Sequence, residues 1–420
     1  MKEGAMKVAM HRLRRRAFLR RAILMGAAGL SAVGTHGWAW KSSAQVAATS
    51  PRLIVILLRG AVDGLSVLVP YQEADYYAAR PRIAIAKPGE KEGAIDLNGQ
   101  FGLHPALEPL MAQWNAGNLA FVQATGLKDT SRSHFQAQDY LESGHAELNS
   151  SSGDGGWLNR LVGVLPGGNS TQAVSISNST PLILTGPQSV ASMAFGRAGS
   201  REMQIDKPQI QAVFDRLYAQ DERLSRIYQE GREARDVLLR SLNEERIAAS
   251  KGAPAPDQFE TSARYLADLM LGEAATQVAF MELGGWDSHV NQRGLLNRQL
   301  QPLGKGLAVL AEALGPVYEN TAIVVMSEFG RKVAENGNGG TDHGYGNAMW
   351  LLGGAIEGKR LHGEWPGLAK SVLHESRDLA ITTDARDVLR SLLAQHFSLD
   401  NRALSQVFPG HQQSKTLQLV

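Results

Sequence analysis

The sequence has 420 residues and no cysteine. That removes disulfides, thiolate metal sites, iron–sulfur clusters and cysteine nucleophiles, so any metal must be held by His, Asp, Glu or backbone oxygen. Long apolar runs are missing too. The stretch Ala22–Val33 is short, and Thr35, His36 and glycines interrupt its continuation, whereas a membrane span needs about 20 apolar residues. No stable membrane anchor is expected. A basic surface is also lacking. Residues 1–41 hold nine Lys/Arg and one acid, Glu3, a net +8 against +2 for the whole chain, which leaves −6 for the remainder. Nucleic acid is therefore not an expected partner. With 43% hydrophobic, 20% charged and 6% aromatic residues, the composition excludes disordered and fibrous classes. The 44 glycines against 16 prolines imply many tight turns and close backbone approaches.

What is present begins with a leader. Arg15-Arg16-Ala17-Phe18-Leu19-Arg20 precedes the apolar stretch, and small residues recur at Ser42-Ser43-Ala44 and Ala47-Ala48. Paired arginines before a short, weakly hydrophobic run form a twin-arginine export signature. Residues 1–48 are predicted to be a cleaved signal peptide recognised by the twin-arginine translocase, which places the protein in the periplasm or outside the cell. That route carries folded passengers, often because a cofactor is loaded first.

Residues 49–420 read as one α/β domain. Leu53–Leu58 is an unbroken apolar run, as expected of a strand covered on both faces. It is followed by a helix over 105–116 with Gly117 as C-cap, a strand at 119–122, a helix over 135–142 and a strand at 173–177. Ser150–Gly156 reads as loop. Lys207–Ser250 is charged and helical, with too few apolar residues to own a core, and is predicted as a helical insertion at about 203–252. Alternation resumes with a helix over 259–272, a strand at 277–283, a helix over 292–314, strands at 321–326 and 348–352, and a helix over 384–397. Such alternation predicts a largely parallel sheet with helices on both faces.

In open α/β sheets ligands bind beyond the carboxyl ends of the strands. Four predicted strands run there into Asp63, Ser133, Asp287 with His289, and Glu328. Asp342-His343 arrives on a glycine-rich loop just before a fifth strand. Carboxylates, histidines and a hydroxyl on one edge outline a metal-assisted hydrolytic site. Glu282 lies within a strand, where a carboxylate is costly unless paired or metal-bound. Thr130, Ser131 and Ser133 stand where a helix begins, suited to N-capping or to holding a phosphate or sulfate. His134 adjoins Ser133; His104, His145 and His362 read as packing or surface histidines.

In order, these motifs resemble the alkaline phosphatase–sulfatase–phosphodiesterase superfamily, and within it the bacterial twin-arginine-exported proteins of domain-of-unknown-function family 1501. The resemblance rests on Asp63-Gly64, Ser133-His134-Phe135-Gln136-Ala137-Gln138-Asp139, Gly284-Gly285-Trp286-Asp287-Ser288-His289, Ser327-Glu328-Phe329-Gly330-Arg331 and Asp342-His343. It implies an alkaline phosphatase-like three-layer sandwich and a divalent metal (Zn, Mn, Mg or Ca). The implied ligands are Asp63, Glu282, Asp287, His289, Glu328, Asp342 and His343. Ser133 would be the nucleophile, with Thr130 and Ser131 as rivals, and Arg132 or Arg331 would clamp a small anionic ester. The superfamily places a histidine four residues after the Asp of the later strand; here Asn291 stands there, and His289 is nearest. Where its final turn carries Asp-His, this chain has Glu328-Phe329. Phe329 cannot bind a metal, so a second site needs His134 or Asp342 as replacement. Two functions follow: an exported metal-dependent hydrolase of phosphate or sulfate esters, or a non-catalytic exported binding or assembly protein that keeps the fold. A redox passenger is disfavoured, because cysteine and a Gly-x-Gly-x-x-Gly after a strand are lacking.

Overall fold

The structure, a computed structural model, describes residues 49–147, 155–177, 180–193, 208–218, 258–272 and 276–420, with Ser225 and Tyr228 as isolated positions. The predicted signal peptide lies outside the described residues, as do most of the insertion and residues 150–154 of the predicted loop. Of the insertion, the helix Pro208–Tyr218 is described.

The run that opens the domain forms β1 (Arg52–Leu58), buried throughout. Alternate side chains of a strand point to opposite faces. Ile54, Ile56 and Leu58 accordingly enter one core, with the helices Gln258–Leu271 and Gln292–Ala313. Leu53, Val55 and Leu57 enter a second core with the helices His134–Ser143, Trp157–Val164, Ala385–His396 and Asn401–Val407. Helix, sheet and helix make three layers, the architecture expected from the alternation.

Around β1 the sheet runs β11 (Arg360–His362), β5 (Leu119–Gly126), β10 (Asn347–Leu352), β9 (Thr321–Met326), β1, β8 (Val278–Leu283), β6 (Ala173–Ile176) and β7 (Ala191–Met193), with β12 (Thr383–Asp384) also beside β5. A small antiparallel sheet of β2 (Leu68–Val69), β4 (Gly102–Leu103) and β3 (Ile95–Asp96) lies apart. In the main sheet β1 pairs in parallel with β8 and β9. β10 runs antiparallel to both β9 and β5, so the sheet is mixed although mostly parallel. This reversal has a consequence for the site. The carboxyl ends of β1, β5, β8 and β9 share one edge, and the amino end of β10 meets them there, bringing in the loop with Asp342 and His343. Among the described residues, no helix is long and apolar enough to cross a membrane.

Candidate metal centre

Four side chains converge at that edge. His134 opens the helix after β5, Asp287 and His289 sit on the loop after β8, and His343 precedes β10. His343 Nε2 lies 3.0 Å from both His134 Nε2 and His289 Nε2, and 3.3 Å from Asp287 Oδ1. The same Asp287 oxygen is 3.1 Å from His289 Nε2 and 3.7 Å from His134 Nε2. A tetrahedral ion bound at about 2.0–2.1 Å would hold its ligands about 3.3–3.4 Å apart, and the separations among His134, Asp287 and His343, 3.0, 3.3 and 3.7 Å, bracket that value. His134, Asp287 and His343 alone already offer three donor atoms within 4.8 Å of one another.

Hydrogen bonding shows why a cation suits this cluster. His343 Nδ1 faces the Arg132 carbonyl at 2.9 Å and must donate to it, which leaves a lone pair on Nε2. His134 Nδ1 faces Glu328 Oε1 at 2.7 Å. His289 Nδ1 points toward Asp342 Oδ1 at 3.7 Å. The outer nitrogens are thus turned to oxygens and the inner Nε2 atoms crowd together with a carboxylate. One proton at most can bridge any two of them, whereas one divalent ion could be shared by His134, Asp287 and His343, with His289 adjoining the last two. Carboxylates and carbonyls behind ligand histidines are the usual outer support of such sites.

The electrostatics run in opposite directions on neighbouring rings. The hydrogen bond to Glu328 raises the His134 pKa, and burial only partly offsets it. Burial lowers that of His343, and nearby His134 adds to the fall. Burial opposes charge on Asp287, yet the Arg331 guanidinium at 2.5 Å holds its carboxyl below the usual range. Burial opposes charge on Glu328, yet it is held low, because His134 Nδ1, Gln138 Nε2 and the Gly60 N–H donate to it. Phe329 stacks on His134, with ring centroids 4.9 Å apart and planes 27° from parallel. The residue that cannot bind metal therefore orients one that can.

Two glycines let the loops close. Gly60 has φ +116°, and a Cβ there would meet the Asp287 backbone nitrogen at 2.7 Å. A Cβ on Gly340 would lie 2.3 Å from the His289 carbonyl carbon.

Several residues expected at the site from the sequence are placed elsewhere. Asp63 is fully buried, bonded to both terminal nitrogens of Arg80 and to Ser66 Oγ and Gln292 Nε2. With its oxygens saturated, it stands outside the histidine cluster. Glu282 pairs with Arg59 Nε at 2.6 Å. Arg331 is buried and spent on the carbonyls of Gly60, Ala61 and Thr341 besides Asp287, so it fixes the loops and is not free to clamp an ester. Arg132 has φ +52° and bonds to Glu375 and Asp378. Glu328 and Asp342 stand behind histidines, not among the inner atoms. Ser133 is the N-cap residue of the helix that begins with His134, and its side chain makes no capping bond. Ser131 Oγ instead donates to Asp129 at 2.8 Å, and Thr130 is exposed.

The family model described as "Protein of unknown function (DUF1501)" matches residues 50–408. The chain belongs to that family. No curated protein matches. Among solved structures, the chain is similar to Ps i-CgsB in complex with k-i-k-neocarrahexaose, at 12% identity and TM-score 0.35 over 85% of this chain and 74% of that one. It is similar to the C-terminal periplasmic domain of EcEptC from Escherichia coli, at 11% identity and TM-score 0.36 over 87% and 89%. Alkaline phosphatase from the Antarctic bacterium TAB5 matches at 10% identity and TM-score 0.31 over 72% and 92%. Likeness at these scores decides nothing about function, which rests on the residues described above.

Proposed function

We propose that this DUF1501 protein is an exported, metal-dependent hydrolase of phosphate or sulfate esters. The observation that carries the reading is the convergence of three imidazole Nε2 atoms and the Asp287 carboxylate, with each outer imidazole nitrogen turned to an oxygen. His134, Asp287 and His343 would hold one divalent ion, with His289 beside the last two as a further donor; Zn suits imidazoles with a carboxylate best among Zn, Mn, Mg and Ca. Such an ion, when bound, polarises an ester oxygen and favours the ionised form of a nearby nucleophile. Arg331 keeps Asp287 ionised and aimed at the centre. Glu328 and the Arg132 carbonyl fix the tautomers of His134 and His343, so both present lone pairs inward. Ser133, uncommitted as a cap and adjacent to His134, is the assigned nucleophile. Its attack on phosphorus or sulfur would expel the alcohol, and water would then release the inorganic anion. The paired arginines at Arg15-Arg16 support export through the twin-arginine translocase.

The test is metal content by elemental mass spectrometry on the exported protein and on Asp287→Ala and His343→Ala, followed by a panel of phosphate and sulfate esters. Stoichiometric metal in wild type, lost in both variants, with turnover that Ser133→Ala abolishes, is the expected result. Wild type free of metal after reconstitution would refute the centre. Metal without turnover on any ester would favour the non-catalytic binding protein.

A further inference from the structure

Beside the histidine cluster lies a second convergence of charge, built around Arg59 at the carboxyl end of β1. Its Nε donates to Glu282 Oε2 at 2.6 Å, and its Nη1 donates to Glu142 Oε1 at 2.8 Å and Gln138 Oε1 at 2.7 Å. Gln138 passes the contact on, since its Nε2 donates at 2.8 Å to Glu328 Oε1, the oxygen that also receives His134 Nδ1. Glu142 is buried, and its second oxygen accepts from the Ile183 amide at 3.0 Å. Two glutamates are thus held by a single guanidinium, and a third, Glu328, bonded to a histidine of the centre, is reached through Gln138.

We infer that Arg59 is the resident cation of this acidic pocket, which therefore takes no metal, and that among the described residues the histidine cluster is left to bind one divalent ion per chain. The inference rests on the metal centre proposed above and adds its stoichiometry. A guanidinium carries its charge at every pH at which the fold stands, and its planar fork bonds several oxygens at once. No titration within the working range vacates the pocket for a metal ion. Burying Glu142 beside Glu282 without a counter-charge would be costly, so the guanidinium also holds the two acids in place. Through Gln138 and Glu328 it is connected to His134, which makes Arg59 a positioning residue for the centre.

The experiment counts ions. Wild type is saturated with Mn2+, and in a separate sample with Zn2+, freed of excess by gel filtration and analysed by elemental mass spectrometry. About one ion per chain is expected, and two would overturn the inference. Arg59→Ala leaves Glu142, Glu282 and Gln138 facing an empty space. Equilibrium dialysis at high Mn2+ is expected to show a second, weaker ion in that variant, and the Arg59→Ala/Glu282→Ala double variant should return to one. An Arg59→Ala protein that melts cooperatively yet binds no second ion would overturn the stand-in role. Should Arg59→Ala fail to fold, the wild-type count still decides. A wild-type count of zero refutes the histidine centre itself, while a count of two leaves that centre standing and refutes only the role of Arg59.

Discussion

Replacing Glu328 by glutamine separates charge from shape at the heart of the site. The carboxylate accepts from Gly60 N, Gln138 Nε2 and His134 Nδ1 on Oε1, and from Ser327 Oγ on Oε2. A glutamine oxygen can keep the first three. Its NH2 would face Ser327 Oγ, which already has another acceptor in the Leu58 carbonyl at 2.6 Å, so the hydroxyl can accept from the amide and donate there instead. No donor is stranded, and Glu328→Gln should melt within about 1 kcal/mol of wild type when metal-free. What disappears is the negative charge that makes His134 a better ligand. Loss of an outer-shell carboxylate typically costs about 10–100-fold in metal affinity, or roughly 1.4–2.7 kcal/mol. Competition against a chromophoric chelator measures this directly, with chemical denaturation of the metal-free protein as control. Unchanged metal affinity in a well-folded variant would refute the assignment of His134 as a ligand supported by Glu328.

Asp63→Ala strands the buried Arg80 guanidinium and should cost about 3–5 kcal/mol in chemical denaturation. The metal count should stay at wild-type level; loss of metal in folded protein would restore Asp63 to the ligand set. Gly60→Ala forces an L side chain to φ +116° against the Asp287 backbone; strain of about 1–3 kcal/mol and weaker metal binding are expected, and a variant with unchanged melting and affinity would contradict the close approach. The carboxyl-terminal segment offers a pH test. Burial alone would raise the Asp387 carboxyl, but hydrogen bonds from His411 and Ser414, with help from the Lys415 amide, hold it below the aspartate range. The lower pKa belongs to the folded state. Its stabilisation is therefore complete above the unfolded value of about 3.9 and drains as pH falls through the folded one. Asp387→Asn should lower melting at pH 6 and flatten its acid dependence below about pH 4, both measured in chelator; parallel pH curves for the two proteins would refute the linkage.

The sheet was legible because its strands are fully apolar runs: β9 falls on the predicted 321–326, and β1, β8 and β10 within a residue of expectation. The reversed direction of β10 was not, since an apolar run carries no sign of its orientation. Asp287, His289 and His343 were found because a sheet edge concentrates strand-end residues. Asp63 looks the same in sequence, an acid after a strand, and its different environment depends on Arg80, which nothing local marks as its partner. The Arg59 pocket escaped notice although a signal existed. His134, Gln138 and Glu142 recur every four residues and so share one face of one helix, a polar stripe pointing from the centre to Arg59.

The pairing of β1 also governs how the molecule is made. The first strand of the sheet has no partner near it in sequence: Leu53 lies beside Val278 on one side and Ala322 on the other. Contacts this distant slow folding, because loop-closure entropy is lost before any pairing rewards it. Until β8 and β9 exist, Leu53–Leu58 is an unpaired apolar segment of high strand propensity, the kind that aggregates or recruits chaperones. The strand at the centre of the finished sheet is the one that must wait for the second half of the chain.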